Sequence, residues 1–183
     1  GETNGARVLL PASSYKVIRN SECPQFYPLF PFNRFSLAKD DLTVFRATWK
    51  HGTFPKDHIV SWHQDGIFFA RMGMTNEAVD FNSRKLASAD RRFPTFWGPG
   101  HDWVPDHNWG GSGMIGLQEM LLQTVGDTLH VLPAWPAGWD VDFKLHAPRA
   151  TVVECSVRNG RITRLDVTPA ARRKDVVVAD AFR

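Results

Sequence analysis

Apolar positions recur at helical spacing through much of the first two thirds of the chain and alternate through the last third. Residues 1–35 carry neither period. Pro11, Pro24, Pro28 and Pro31 interrupt any helix and would deprive a strand interior of its ladder donor. With Tyr15, Phe26, Tyr27, Phe30, Phe32 and Phe35 among them, this stretch reads as an irregular segment packed onto something large. Ser36 is a good helix cap, and Asp40 and Asp41 follow it. The apolar residues Leu37, Val44, Phe45 and Trp49 then predict a helix. A second helix is predicted over about 58–72, with Ile59, Trp62, Phe69 and Ala70 on related faces and Gly73 closing it. A third starts at Thr75 as its N-cap, has Glu77 in its first turn and runs to about Ala87. The short link between the last two predicts an antiparallel helical hairpin. A fourth helix, about 112–124, carries Met114, Leu117, Met120 and Leu121 as an apolar stripe.

After Gly126 the period drops to two. Leu129-His-Val-Leu, Val141-Asp-Phe-Lys-Leu and Val153-Glu-Cys-Ser-Val alternate, Thr163, Leu165 and Val167 continue one face, and Val176–Val178 supplies a last strand. Asn159-Gly160 between two alternating runs is a strong hairpin signal. Helices first and strands later define an α+β chain with segregated parts. The helical part is placed at 1–125. A small antiparallel β-domain, sandwich-like, is placed at 126–183 and expected to pair antiparallel throughout.

Composition narrows the function classes. At 183 residues, 43% hydrophobic and 22% charged, the chain can build a real core. The net charge of +3 is scattered, so no basic stripe points to nucleic acid. The cluster Arg172, Arg173, Lys174 reads as a solvated turn. No apolar run approaches the ~20 residues of a membrane span. Cys23 and Cys155 are too few for a disulfide framework, and no Cys/His spacing of a metal site occurs. No metal and no cofactor is predicted.

The candidate chemistry gathers between residues 90 and 112, RRFPTFWGPGHDWVPDHNWGGS, read as a long loop. Loops of this length in a compact domain are usually functional. This one holds Trp97, Trp103, Trp109, His101, His107, Asp102, Asp106 and Asn108. The histidines and aspartates have no recognised ligand spacing. A second polar group, His63, Gln64 and Asp65, lies beside Trp62 at a predicted helix start.

Three stretches together resemble the C-terminal region of (α/α)6-barrel glycoside hydrolases of the α-L-fucosidase group. They are NSECPQFYPLFPF from Asn20, SWHQDGIFFARMGMTNEA from Ser61, and DHNWGGSGMIGLQEMLLQTVGDTLHVLPAWPAGW from Asp106. The last is the most specific. The resemblance implies late helical hairpins of such a barrel followed by a β-domain. It also implies that an N-terminal β-domain and the earlier barrel helices belong to a preceding portion of the same protein. An isolated chain would then expose apolar helix faces. The physical reading agrees, because two hairpins cannot bury their apolar faces alone, and Trp faces pack well against the C–H face of a pyranose.

In the resembled family the aspartate at the position of Asp106 stands on the base side of an inverting hydrolysis and helps activate water. The family's general acid lies upstream of this chain. His107 stands where the family has glycine, and Trp109 where it has phenylalanine. The resemblance thus implies a carbohydrate substrate, a terminal sugar cleaved from an oligo- or polysaccharide, and a periplasmic or secreted location. His63, Asp65, Trp97, Trp103, His107, Asn108 and Trp109 are the candidate sugar-binding residues. Each has a plainer reading alongside. Asp106 serves equally as a helix cap, Asp65 as a first-turn carboxylate and Trp62 as a core residue. Glu119 reads as a structural helix residue, and Trp135 and Trp139 as packing between helices and strands. A non-catalytic glycan-capturing protein on the same scaffold is the alternative reading.

Overall fold

A computed structural model describes residues 1–17, 22–54, 56, 59, 62–87 and 107–183. The chain is α+β, with helices preceding most of the strands. A two-residue hairpin, β1 (Glu2–Thr3) and β2 (Ala6–Arg7), opens it. Asn4 and Gly5 both take positive φ, 51° and 74°, as a tight primed turn requires. Residues 1–35 were expected to be irregular, whereas this hairpin and a short 3₁₀ turn over Pro24–Phe26 are regular.

Helix α1 (Thr43–His51) starts later than Ser36. Asp41 Oδ1 accepts the Thr43 N–H at 2.9 Å and its hydroxyl at 2.6 Å, while Asp40 Oδ2 reaches back to the Ser36 N–H at 2.8 Å. These short side chains satisfy backbone donors locally, so the chain turns before it winds. Helix α2 (Asp65–Met72) ends where expected, at Gly73 with φ 67°, and the Met74 N–H closes onto the Phe69 carbonyl at 2.9 Å. Thr75 is the first residue of α3 (Thr75–Leu86), one place inside the cap it was expected to be.

Helix α4 (His107–Leu121) begins five residues earlier than the sequence predicts. Gly110 and Gly111 read as loop, yet they lie inside the helix. Packing overrides propensity here. A Cβ on Gly116 would sit 2.0 Å from Asn82 Oδ1, and one on Gly66 of α2 would sit 2.3 Å from the same atom. The two glycines therefore let α2 and α4 close on Asn82 of α3, whose amide donates to the Gly66 carbonyl and to Met120 Sδ. Contacts run in one direction along both outer partners: Gly66 and Gly116 share Asn82, Arg71 meets Glu119, and the Ala70 carbonyl meets Gln123. Helices α2 and α4 are thus parallel, with α3 antiparallel between them, and the N-termini of α2 and α4 share one end.

This predicts a clear mutational result. Gly116→Ala gains about 1 kcal/mol of helix propensity but overpacks a buried contact, at about 1–3 kcal/mol. Asn82 can yield only by giving up its bonds to Gly66 and Met120. A melting temperature several degrees lower is expected by calorimetry, and an unchanged or raised one would show that Asn82 moves aside freely.

The strands form two three-stranded sheets. β3 (Leu122–Val125) follows α4 without a break and pairs with β4 (Thr128–Val131) across Gly126-Asp127. β8 (Val176–Val178) lies beside β4 in parallel, which corrects the expectation of antiparallel pairing to the chain end. The second sheet, β5 (Val141–Ala147), β6 (Thr151–Arg158) and β7 (Arg161–Thr168), is antiparallel. Its β6–β7 turn is Asn159-Gly160 as predicted, both at positive φ. A bulge at Ser156/Val157 shifts the register, so Ile162 rather than Thr163 joins Leu165 and Val167 on the inner face.

Arg172 corrects the reading of its cluster as solvated. It is 9% exposed, pairs with Asp175 at 2.7 Å and donates to the Asp127 carbonyl at 2.8 Å, tying the last turn to the β3–β4 hairpin. Trp135 is buried and donates to the Trp139 carbonyl, whereas the Trp139 ring is half exposed. Buried side chains from α1–α4, the segment around Phe26 and both three-stranded sheets form one contiguous cluster. Among the described residues no helix is long and apolar enough to cross a membrane. Helix α4 buries Met120 and Leu121 but leaves Met114, Ile115 and Leu117 exposed.

Candidate functional site

At the shared end of α2 and α4 lies a partly open cavity of about 120 Å³. One wall comes from the stretch after residue 21. Pro24 opens a short 3₁₀ turn, Pro24–Phe26, that drives Phe26 and Leu29 fully into the core. Phe26 stacks on Phe68 of α2 at 5.3 Å and 28°. That anchor holds Glu22, Cys23 and Tyr27 over the start of α2. The opposite wall is Trp62, His63, Gln64 and Asp65, with Phe68 as the floor. The Trp62 and His63 rings stack at 5.9 Å and 14°.

The electrostatics are acidic. Asp65, the first residue of α2, is 2% exposed, and the helix N-terminus favours its carboxylate there. Burial, reinforced by the charges of Asp65 and Glu22, pushes the Cys23 thiol up to about 12. Tyr27 is raised as well, by burial first, then by the Glu22 charge and by its hydrogen bond to Glu22. Gln64 Oε1 is buried without a hydrogen-bond partner. The lining offers acceptors to a ligand that brings hydroxyl donors. Cys23 should be inert. With its thiolate fraction lowered by roughly two to three decades, iodoacetamide at pH 8 should label it at least about a hundredfold more slowly in the folded chain than in guanidinium. Mass spectrometry separates it from Cys155, and equal folded and unfolded rates would refute the acidic, closed environment.

Behind the wall, Lys85 of α3 is 4% exposed. Its ammonium donates to the His63 carbonyl at 2.8 Å, and its own carbonyl accepts from Trp109 Nε1 at 2.6 Å. His63 and Trp109, far apart in sequence, are thereby joined through one residue. Further along the same interface Arg71 pairs with Glu119 at 2.7 Å.

Of the sequence-predicted site residues, His63 and Asp65 line the cavity. Trp62, read as core, is only partly buried and lines it too. Trp109 is buried in the first turn of α4 with its ring against the Lys85 ammonium. Asn108 is exposed, and His107 opens α4. Asp106, Trp97 and Trp103 lie outside the described residues. Gln64, singled out with its neighbours but not named as a sugar contact, lines it as well. Glu22, Cys23 and Tyr27 were missed, although their signal was present in NSECPQFYPLFPF, where the prolines suggested only packing.

Two wider grooves are weaker candidates. One, over β5–β7, is lined by Lys144, Glu154 and Arg164, whose charges already neutralise one another in an exposed ion-pair ladder. The other runs beside His130 and Arg183, where the arginine is paired with Asp180. Among the described residues no group of three or more His, Cys, Asp or Glu side chains is placed to hold a metal ion. Comparison with protein-family models and with curated protein sequences finds no match for the chain.

Proposed function

We propose that this chain is the late part of an (α/α)6-barrel glycoside hydrolase, resembling the α-L-fucosidase group, that removes a terminal sugar from an oligo- or polysaccharide by inversion. The observation that carries this reading is the cavity at the shared N-terminal end of two parallel helices. It combines carboxylates, an imidazole, a phenol and an indole, the mixture that binds sugar hydroxyls and a pyranose face. His63 and Asp65 take hydroxyl contacts, with Trp62 as the apolar wall. Asp106 immediately precedes α4 in sequence and α4 starts at this end, so it is assigned the base side, with His107, Asn108, Trp97 and Trp103 as further sugar contacts.

Two more features support the reading. The α2–α3 hairpin with parallel α4 leaves Met114, Ile115 and Leu117 exposed, a face that further helices of the same protein would cover. The cavity is also smaller than the roughly 300–1,000 Å³ of complete ligand pockets, as expected if the general acid and the rest of the pocket come from a preceding portion.

The test is turnover of aryl α-glycosides and of fucosylated, galactosylated and rhamnosylated oligosaccharides by the protein at its full encoded length, with Asp106→Asn beside wild type. Turnover that depends on Asp106 supports the proposal. Sugar binding without turnover would instead favour a glycan-capturing protein, and neither binding nor turnover would remove carbohydrate from consideration.

A further inference from the structure

We propose that Lys85 is the positioning residue of the cavity, locking the Trp62–His63 wall to the turn at which the chain enters α4. Among the described residues the lining comes from Glu22, Cys23, Tyr27, the Trp62–Gln64 stretch and the start of α2, and none of it from α4. What sets the start of α4 relative to that lining must reach both. Lys85 does so from α3. Its ammonium holds the main chain of His63 at 2.8 Å, beneath the imidazole that stacks on Trp62. The same ammonium lies 5.7 Å from the centre of the Trp109 ring, and the Lys85 carbonyl takes the Trp109 indole N–H at 2.6 Å.

The choice of residue is informative. Lys85 is 4% exposed, and long charged side chains are almost never buried so deeply unless directed polar contacts hold them. An apolar residue would fill this space at lower cost if filling were the whole role. A lysine instead supplies an ammonium donor that reaches from α3 to the His63 carbonyl, one residue before the helix cap. His63 and the α4 start then move as one unit.

The experiment uses the whole 183-residue chain with Lys85→Met and Lys85→Arg. NMR reads exchange of the Trp109 indole N–H and the imidazole resonances of His63, with amide protection over Ile67–Met72 as the internal control. In Lys85→Met the indole N–H keeps its main-chain acceptor but loses the ammonium beside its ring, so it should exchange at least about tenfold faster, and the His63 signals should move with it while the control stays protected. Lys85→Arg, which keeps the charge in a different shape, should move both signals together but less. A response of one signal without the other, no response, or uniform loss of protection through α2–α4 would overturn the proposal. Should Lys85→Met fail to fold, the joint response in Lys85→Arg decides.

The ligand arm rests on the carbohydrate reading above. L-fucose, D-galactose and L-rhamnose are titrated into wild type and variants of the protein at its full encoded length. A sugar that binds wild type should bind Lys85→Met at least about tenfold more weakly, and undiminished binding would overturn the positioning role. If wild type binds none of the three, the carbohydrate reading fails, while the coupling of His63 to Trp109 is still decided by exchange.

Discussion

Replacing Arg71 by methionine should cost about 3–5 kcal/mol, a large share of the total stability of a domain this size. Arg71 is 2% exposed and faces Glu119, whose side chain is 13% exposed, across the α2–α4 interface. The contact has two parts. Arg71 NH2 donates to Glu119 Oε1 at 3.0 Å in good alignment, whereas the Nε–Oε2 approach of 2.7 Å is close but misaligned for a hydrogen bond. The attraction is therefore largely Coulombic, in a setting where water screens it little. Without the guanidinium, the carboxylate is left buried and uncompensated. The double variant Arg71→Met with Glu119→Leu should recover most of the loss, because desolvating an ion pair roughly offsets its attraction.

A pH signature accompanies this prediction. Burial raises the Glu119 carboxyl above its ordinary value, and Arg71 pulls it part of the way back. Removing Arg71 takes away that restraint. A carboxyl raised in the folded state contributes stability below its unfolded value and loses it as pH climbs through the folded one. Arg71→Met should therefore gain stability relative to wild type between pH 7 and pH 5. Urea midpoints at the two pH values check it. A loss under about 1 kcal/mol at pH 7, or a double variant no better than the single, would sink the account.

The same interface shows why part of the fold was legible and part was not. Gly73 and Asn159-Gly160 were readable because positive φ is a local demand that glycine and asparagine announce. The start of α4 was not, because Gly110 and Gly111 look like loop locally, while the close packing of the helix rests on Gly116 meeting Asn82 far earlier in the chain, and packing of that range leaves no local trace. The parallel placement of β8 beside β4 is likewise set by a long return of the chain. In the cavity, His63 and Asp65 stood out as adjacent polar groups at a helix start. Glu22 and Tyr27 did not, since only the burial of Phe26 and Leu29 carries them to that end of α2.

Asp106→Asn should lower glycoside turnover by about 10²–10⁴-fold with little change in stability, if the carbohydrate reading holds. The size follows from the role. A base-side carboxylate polarises the attacking water as the sugar–oxygen bond breaks, and an amide of the same shape cannot accept that proton. A mere cap would behave differently. Asparagine caps a helix about as well as aspartate, so the substitution at a purely structural position would leave the rate intact and move the melting temperature only slightly. The two roles therefore separate on one variant. Asp65→Asn gives the contrast from within the cavity: a hydroxyl-binding carboxylate lost from the wall weakens substrate binding, raising KM with kcat less affected. Steady-state kinetics on the glycoside that wild type turns over fastest will distinguish them. A kcat for Asp106→Asn within about threefold of wild type, well short of the loss expected for a group assisting proton transfer, would remove Asp106 from the chemistry.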